Sequence, residues 1–277
     1  MSQLPLEDKF GDVVRKAMRG KKIQPADLAR QTGLTDQQLG DLFEYKYTPS
    51  DDVIRKLAPL CSLNPNALID HAHSRWKPRD INTAQLGCLA QISAQYEDYI
   101  VNTFLVWDKT TKQAVLFDTG PDLAAIEKAV RDNSLKIELL LLTHTHPDHV
   151  AVLGDVLKKF KPKAFTSPRE PADGCAPVKE GDKHRVGALA IEIRETDGHS
   201  VGGLTFVVTG QGGVPPIAVV GDAIFASSMG GPMISYENLT SHIRKKILTL
   251  PPETILCPGH GPLTTVGEEK AHNPFFA

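Results

Sequence analysis

Residues 143–149 read Thr143-His144-Thr145-His146-Pro147-Asp148-His149 and follow directly after the apolar run Ile137-Glu138-Leu139-Leu140-Leu141-Leu142. The run predicts a buried strand, and the polar stretch predicts the loop in which that strand ends. Three imidazoles and a carboxylate therefore fall within six residues, where one loop can turn them toward a common point. Neutral imidazole and carboxylate groups are good ligands for zinc and other first-row metals. The segment predicts part of a metal site.

Further candidate ligands follow along the chain, each in a setting typical of a loop. They are His199 in Asp197-Gly198-His199-Ser200, Asp222 in Val220-Gly221-Asp222, and His260 in Cys257-Pro258-Gly259-His260-Gly261-Pro262. A single histidine after a strand often only satisfies a buried polar contact. Five histidines and two aspartates in this order favour a shared metal centre instead.

This order of motifs, H-x-H-x-D-H followed by a lone His, Gly-Asp and Gly-His-Gly, resembles the metallo-β-lactamase superfamily. The resemblance implies an α/β fold, the αββα sandwich, in which two sheets face each other and helices lie outside. It implies that one metal is held by His144, His146 and His199, and a second by Asp148, His149 and His260. Asp222 would bridge the two ions, and Asp148 and Asp222 would serve in catalysis.

The resemblance also implies a hydrolytic reaction. Two divalent ions, with zinc favoured and iron or manganese as alternatives, would share a hydroxide that attacks a carbonyl carbon or a phosphorus. The earlier stretch Phe117-Asp118-Thr119-Gly120 matches a further family motif, in which Asp118 would orient the metal loop without binding metal.

Within the superfamily, the chain is most similar to the glyoxalase II-like branch. The stretches that carry this similarity are Gly221 to Ala226, Pro258 to Glu269 and Asn273 to Phe276. They imply a small-molecule thioester or ester as substrate. Two departures from that branch leave the identity of the substrate open. Residues 226–231 stand where the branch commonly has a Gly-Arg pair. The chain also reaches Ala277 without the helical extension that binds glutathione in long glyoxalases.

Two other functions remain open at this point. In a persulfide dioxygenase-like enzyme, a single iron would be held by His144, His199 and Asp222. In a DNA-binding regulator, the metal-binding part would act as a sensor.

The chain divides into a helical region at residues 1–75, a linker at 76–84 and a catalytic domain at 85–277. Residues 23–35 are similar to helix-turn-helix domains of the phage-repressor type, with Pro25 at a helix start, Gly33 at its end and Thr35 capping the next helix. Ser50 or Asp51 would cap a fourth helix and Asn64 a fifth. We expect His71 and His73 to lie on a solvated helix end.

DNA binding by this region is disfavoured. The helix that would enter the major groove carries Asp36, Asp41 and Glu44, and residues 1–75 hold 11 Lys and Arg against 10 Asp and Glu. Phosphate neutralisation supplies most non-specific affinity for DNA, so this region is a poor candidate for it. Docking, formation of a homodimer or covering of the active site are the alternatives.

Residues 85–277 alternate predicted strands and helices. The strands include Tyr99 to Trp107, Ala114 to Phe117 and Ala190 to Arg194. A helix is expected from Leu123 to Arg131, and a continuous one from Val150 to Phe160. Neither Tyr236 nor His242 is expected to act as a general acid.

Composition narrows the class of protein. The 277 residues are 41% hydrophobic and 23% charged, with a formal net charge of −2, which is ordinary for a globular chain without a general attraction to nucleic acid or membrane. The first nine residues contain acidic side chains where a signal peptide needs a basic stretch and an apolar core, so we expect a cytoplasmic protein. The four cysteines are far apart and form no C-x-x-C pair, and Cys257 is expected to be a buried, inert thiol.

Overall fold

A computed structural model describes residues 3–277, and within them helices come first and strands later. Residues 1 and 2 of the predicted helical region lie outside the described part. The helices are α1 (Phe10–Lys21), α2 (Pro25–Thr32), α3 (Asp36–Phe43), α4 (Asp51–Leu60), α5 (Pro65–Ala72), α6 (Thr83–Leu86), α7 (Leu123–Asp132), α8 (Pro147–Val150), α9 (Leu153–Phe160), α10 (Tyr236–His242) and α11 (Val266–His272), with a π-helical turn, Ile243–Ile247, continuing α10.

The strands are β1 (Leu89–Tyr96), β2 (Tyr99–Trp107), β3 (Gln113–Phe117), β4 (Lys136–Leu141), β5 (Lys163–Thr166), β6 (Ala176–Pro177), β7 (Lys183–Val186), β8 (Leu189–Glu195), β9 (Leu204–Thr209), β10 (Ile217–Gly221), β11 (Ile224–Phe225), β12 (Ser228–Met229), β13 (Ile255–Pro258) and β14 (Thr264–Thr265). They form two mixed six-stranded sheets, in the orders β1-β2-β3-β4-β5-β6 and β14-β13-β10-β9-β8-β7, and the small hairpin β11-β12. Among the described residues, no helix is both long and apolar enough to cross a bilayer.

The two sheets face each other, and alternation along the strands shows how. In β10, Ile217 and Val219 belong to the core between the sheets, while Ala218 and Val220 belong to a second apolar cluster on the outer face. This follows from the two-residue period of a strand, which sends successive side chains to opposite faces. Helices α7 and α9 cover the outer face of the first sheet. The expected sandwich of two sheets between helical layers is therefore present.

Helices α1 to α5 share a hydrophobic core with the second sheet. Val13 and Leu57 from these helices belong to the same buried cluster as Met229, Leu256 and Phe276. The contact continues through hydrogen bonds, because the backbone N–H of Asn64 donates to the carbonyl of Pro274 over 2.7 Å. The predicted linker is also anchored: the Trp76 ring stacks on the His272 ring at 4.7 Å. The boundaries at 75 and 85 stay a prediction, but the helices complete the outer layer of this sheet.

Two of the three predicted helix caps, Thr35 and Asn64, form hydrogen bonds at the helix starts. The Thr35 hydroxyl accepts a hydrogen bond from the Gln38 N–H at 3.1 Å, and the Asn64 side chain accepts from Asn66 and Ala67 at 3.0 Å. Ser50 precedes α4, but its side chain makes no capping hydrogen bond. Each side-chain acceptor satisfies an N–H that has no partner within the helix.

Two local expectations were wrong. The helix expected from Val150 to Phe160 is interrupted, because Val152 leaves the helical conformation and its N–H donates to the carbonyl of Gly120 at 3.2 Å. His71 is not solvated: it is buried, with its Nδ1 2.8 Å from the Ser227 hydroxyl. Packing of α5 against the β11-β12 hairpin removes it from water. His73 is exposed and lies 2.8 Å from Asp51, as expected for a helix end.

Candidate metal centre

All seven predicted ligands lie together at one edge of the sandwich. The loop after β4 supplies His144, His146, Asp148 and His149, the β8-β9 loop supplies His199, and Asp222 and His260 follow β10 and β13. Strands β10 and β13 are parallel, so their carboxyl ends reach the same edge. Three sets of side chains have ligand atoms within 4.8 Å of one another. His144, His146 and His199 form the first group, and Asp148, His149 and His260 form the second. The third set, His144, His149 and Asp222, connects the two groups.

The first group is a triangle of ring nitrogens. His146 Nδ1 lies 3.1 Å from His144 Nε2 and 3.1 Å from His199 Nε2. The other nitrogen of His199 faces the Gly231 carbonyl at 2.9 Å, and that of His144 faces the Thr143 hydroxyl at 3.0 Å. With a proton on each of those Nδ1 atoms, the Nε2 lone pairs of both rings point into the triangle.

The second group combines imidazoles with carboxylates. His260 Nε2 lies 3.3 Å from Asp148 and 3.4 Å from Asp222. His149 Nε2 lies 3.4 Å from each of these carboxylates. The Nδ1 atoms are held from behind, that of His260 by the Ile100 carbonyl at 2.7 Å and that of His149 by Asp118 at 2.8 Å. Asp222 also reaches the first group, 3.3 Å from His199 Nε2.

These residues fit metal ions. Tetrahedral coordination with bonds of about 2.0–2.1 Å places neighbouring nitrogens about 3.3 Å apart, close to the 3.1 Å spacing of the first group. His149 Nε2 and Asp222 Oδ1 are buried and have no hydrogen-bond partner. Such orphaned atoms carry a desolvation cost that a bound cation removes. Asp222 lies between the two groups, as a bridging ligand would.

The electrostatics of the two groups differ. Burial holds the pKa of His144 well below its usual range and lowers the pKa of His199. Burial also opposes charge on His149, but the Asp222 and Asp118 carboxylates outweigh it and raise that pKa to about 10. Burial acts in the same direction on His260, where Asp222 and Asp148 raise the pKa to about 11. Without an ion, His149 and His260 therefore hold protons that His144 and His199 do not.

Asp118 orients the metal loop, as its motif predicted. One of its oxygens accepts from the Thr143 N–H at 2.7 Å, and the other lies 2.8 Å from both the Thr143 hydroxyl and His149 Nδ1. It has a left-handed backbone with φ of 56°, which turns its side chain back toward the loop. One carboxylate thus fixes the start and the end of the ligand segment.

Glu170 is a functional residue that sequence reasoning missed. Its carboxylate accepts from the Thr145 N–H at 3.0 Å and from the Gly202 N–H at 3.1 Å. It therefore ties the loop of His144 and His146 to the loop of His199. Glu170 follows β5, which pairs in parallel with β4, so predicting β5 would have placed a carboxylate at this edge.

The His260 loop is held by a second missed residue, Asn102. Its side-chain amide donates to the carbonyls of Pro258 at 3.0 Å and Gly261 at 2.8 Å, and its backbone N–H donates to Gly259 at 2.7 Å. Gly259 is required by close approach, since a Cβ there would lie 2.1 Å from an Asp222 oxygen. In the sequence, Asn102 is a polar residue within the otherwise apolar strand β2, and this pattern could have indicated that it has a specific partner.

Three other residues considered in the sequence are engaged elsewhere. The Tyr236 ring packs against Gly20 of α1, and His242 Nδ1 lies 3.0 Å from Asp197. Cys257 is buried between the sheets, and burial raises the pKa of its thiol. All four cysteines are free.

A model of the metallo-beta-lactamase superfamily matches residues 96–260, which contain every residue of the two ligand groups. The chain belongs to the metallo-β-lactamase superfamily. The match begins after helices α1 to α5, so the helix-turn-helix resemblance of residues 23–35 stays a prediction.

Individual superfamily members show the same similarity. The hydroxyacylglutathione hydrolase GloC of Haemophilus influenzae is 31% identical over 200 residues, covering 63% of this chain and 92% of the relative. The mitochondrial persulfide dioxygenase ETHE1 of Mus musculus is 30% identical over 182 residues, covering 62% and 70%. Among solved structures, the B3 metallo-beta-lactamase BLEG-1 aligns with a TM-score of 0.59 at 28% identity, covering 68% of this chain and 99% of that one.

Proposed function

We propose that this protein is a metal-dependent hydrolase of thioesters or esters that uses two divalent ions, with zinc favoured and iron or manganese as alternatives. The observation that carries the proposal is the position of Asp222, whose oxygens lie 3.3 Å from His199 of one group and 3.4 Å from His260 of the other. The similarity to GloC supports the thioester class.

In this proposal the chain supplies ligands and a rigid frame. His144, His146 and His199 would hold one ion, Asp148, His149 and His260 the second, and Asp222 both. Bound together, such ions lower the pKa of water to provide a nucleophile at neutral pH and polarise the carbonyl of the substrate. Asp118, Glu170 and Asn102 keep the ligand loops in register through the hydrogen bonds described above.

The leaving group follows from what the site contains. Tyr236 and His242, the candidate general acids considered, have other partners. The pKa of a thiol is about 8.5, so a thiolate leaves without a proton donor, whereas an amine must be protonated before it leaves. The proposed enzyme therefore prefers thioesters and activated esters to amides.

The test compares an acyl thioester with a β-lactam on zinc-loaded protein, beside Asp222→Ala. We expect faster thioester cleavage by the parent protein. The Asp222→Ala variant should stay folded and lose hydrolysis, because no carboxylate would then reach both ligand groups. Faster β-lactam cleavage would contradict the leaving-group argument, and full turnover in metal-loaded Asp222→Ala would contradict the bridging role.

A persulfide dioxygenase-like reaction at a single iron is the second candidate, favoured by the similarity to ETHE1. In it, His144, His199 and Asp222 would hold the iron. Elemental analysis and oxygen uptake separate the two proposals: two ions per chain and no oxygen uptake support the hydrolase, and one iron with oxygen uptake supports the dioxygenase.

A further inference from the structure

Exposed apolar side chains lie beside the metal centre. Over residues 3–277, the large hydrophobic side chains that stand open to solvent are Tyr45, Tyr99, Val201, Met233 and Ile234. Met233 is 55% exposed and Ile234 52%. Val201 comes two residues after the ligand His199, and the Tyr99 ring lies 5.4 Å from the ring of the ligand His260.

Val201, Met233 and Ile234, which we term the apolar rim, are fixed to one ligand. The Gly231 carbonyl accepts from His199 Nδ1 at 2.9 Å, and the Ile234 N–H donates to the Gly198 carbonyl at 3.0 Å. The loop that carries Met233 and Ile234 is therefore attached to both sides of His199. The apolar rim therefore borders the first ligand group.

Beside the His260 loop lies a cavity of about 460 Å³ between the N-terminal segment and the β1-β2 hairpin. Tyr45, Tyr99 and Ile100 line it, and its charged lining residues are Glu7, Asp8, Asp12 and Asp98. No Lys or Arg among the described residues lines this space. Two of these carboxylates are paired with cations, Asp8 with Lys16 and Asp12 with Arg15, so the surface near the centre that distinguishes substrates is the apolar rim.

From these contacts we infer that the substrate carries an uncharged, apolar acyl chain that lies on the apolar rim. This inference rests on the proposed hydrolysis of thioesters. Burying apolar surface is favourable in proportion to its area, so an acyl chain on the rim removes both its own methylenes and Met233 and Ile234 from water. The same rim gives no advantage to a short or charged acyl group.

The experiment uses zinc-loaded protein and N-acetylcysteamine thioesters with acyl chains of increasing length, together with the succinyl thioester as a charged comparison. We expect kcat/KM to rise about two- to fourfold per added methylene until the rim is covered, as expected for partial to full burial of each methylene. The succinyl thioester should be a poorer substrate than the uncharged ester of similar length.

The double variant Met233→Ser, Ile234→Ser should lose this dependence on chain length, so that the ratio of kcat/KM for the longest acyl chain to that for acetyl falls toward one. Both side chains are more than half exposed, so the fold does not depend on them. Ala124→Ser is the control, because Ala124 is an exposed apolar residue on α7, which covers the first sheet. This control should keep the parent dependence.

The outcomes are distinct. A parent enzyme that cleaves thioesters without a preference for length, or a double variant that keeps the preference, overturns the inference and leaves the proposed function standing. Lack of turnover with every thioester overturns both. A third outcome is that the parent enzyme shows no preference for chain length and the double variant changes the oligomeric state. The rim would then be a contact between copies of the chain, and the inference would be overturned.

Discussion

A carboxylate outside the ligand groups sets the spacing between two ligand loops. Glu170 accepts hydrogen bonds from Thr145, which lies between two ligands, and from Gly202, which follows the third. We expect Glu170→Gln to lower metal affinity or kcat by about 10- to 100-fold, the usual effect of removing a group that orients ligands. The glutamine amide keeps one oxygen that can accept a hydrogen bond. Its NH2 group replaces the other oxygen and would face a backbone N–H, which also donates.

Metal titration and steady-state rates measure this effect, and Glu237→Gln on exposed α10 surface is the control. A role limited to stability predicts a lower melting temperature with unchanged metal affinity and kcat. That result would contradict the positioning role of Glu170.

Protonation of the ligands predicts how the ions load. His149 and His260, with pKa values raised to about 10 and about 11, carry protons at pH 7, whereas the lowered pKa values of His144 and His199 leave those rings neutral. A metal must displace protons from its ligands. Binding at the second group should therefore release about two protons at pH 7, and its affinity should rise with pH until about pH 11. At the first group, His144 and His199 should release no proton at pH 7.

Calorimetric titration in buffers of different ionisation enthalpy counts the released protons. His260→Gln should reduce the count by about one. Equal pH dependence of both binding steps would show that the carboxylates do not hold protons on His149 and His260 as described.

At the residue scale, the sequence singled out the seven side chains that the structure brings together, and it did not single out the residues that hold their loops. Imidazoles and aspartates in a fixed order are distinctive in any sequence. Glu170 and Asn102 act through hydrogen bonds to the backbone of distant loops, and these bonds depend on which strands are neighbours. Such contacts have no local pattern, because their partners are distant in the chain.

At the element scale, α3 determines what can be expected of the helical region. Its exposed surface includes Asp36, Gln37 and Glu44, and Lys46 beyond its end is paired with Glu44. We expect weak or no binding to duplex DNA at physiological salt, because α3 presents acidic side chains and residues 1–75 carry a net charge of only about +1 with which to replace counterions at phosphate groups. Fluorescence anisotropy with genomic fragments over a salt series is the measurement. Sub-micromolar, sequence-selective binding would contradict the prediction and favour a regulatory function.

Elements with strong local signals were predicted, and those that depend on neighbours were not. Capping residues Thr35 and Asn64 mark helix starts through contacts within four residues. Strand β1 was missed because its residues alternate only partly and it is stable through pairing with β2. The break before α9 was missed because Gly120, which takes the hydrogen bond of Val152, is remote in sequence.

For the whole molecule, the shared core makes the helices and the sandwich mutually dependent. Leu57 of α4 is fully buried in the cluster that also contains Leu256 of β13. We expect Leu57→Ala to destabilise the entire protein by about 2–5 kcal/mol, the usual cost of removing a buried leucine. Loss of helix and release of metal should occur in one transition. Lys56→Ala, on the exposed side of α4, is the control.

Circular dichroism and a metal indicator, followed in the same thermal scan, test this coupling. Two separate transitions, with only the first shifted by Leu57→Ala, would show that the helical region folds on its own.

The ligands come from both sheets, since His144 to His149 follow β4 of the first sheet while His199, Asp222 and His260 belong to the second. A bound ion is therefore a reversible cross-link across the open edge of the sandwich. Ligands that bind only the folded form stabilise it by mass action. When chelation removes the ions, this link is lost and only the contacts of the His149 and His260 rings with Asp148 and Asp222 remain, so we expect this edge to be the first place to open. The lifetime of the protein in the presence of proteases would then follow the supply of metal around it.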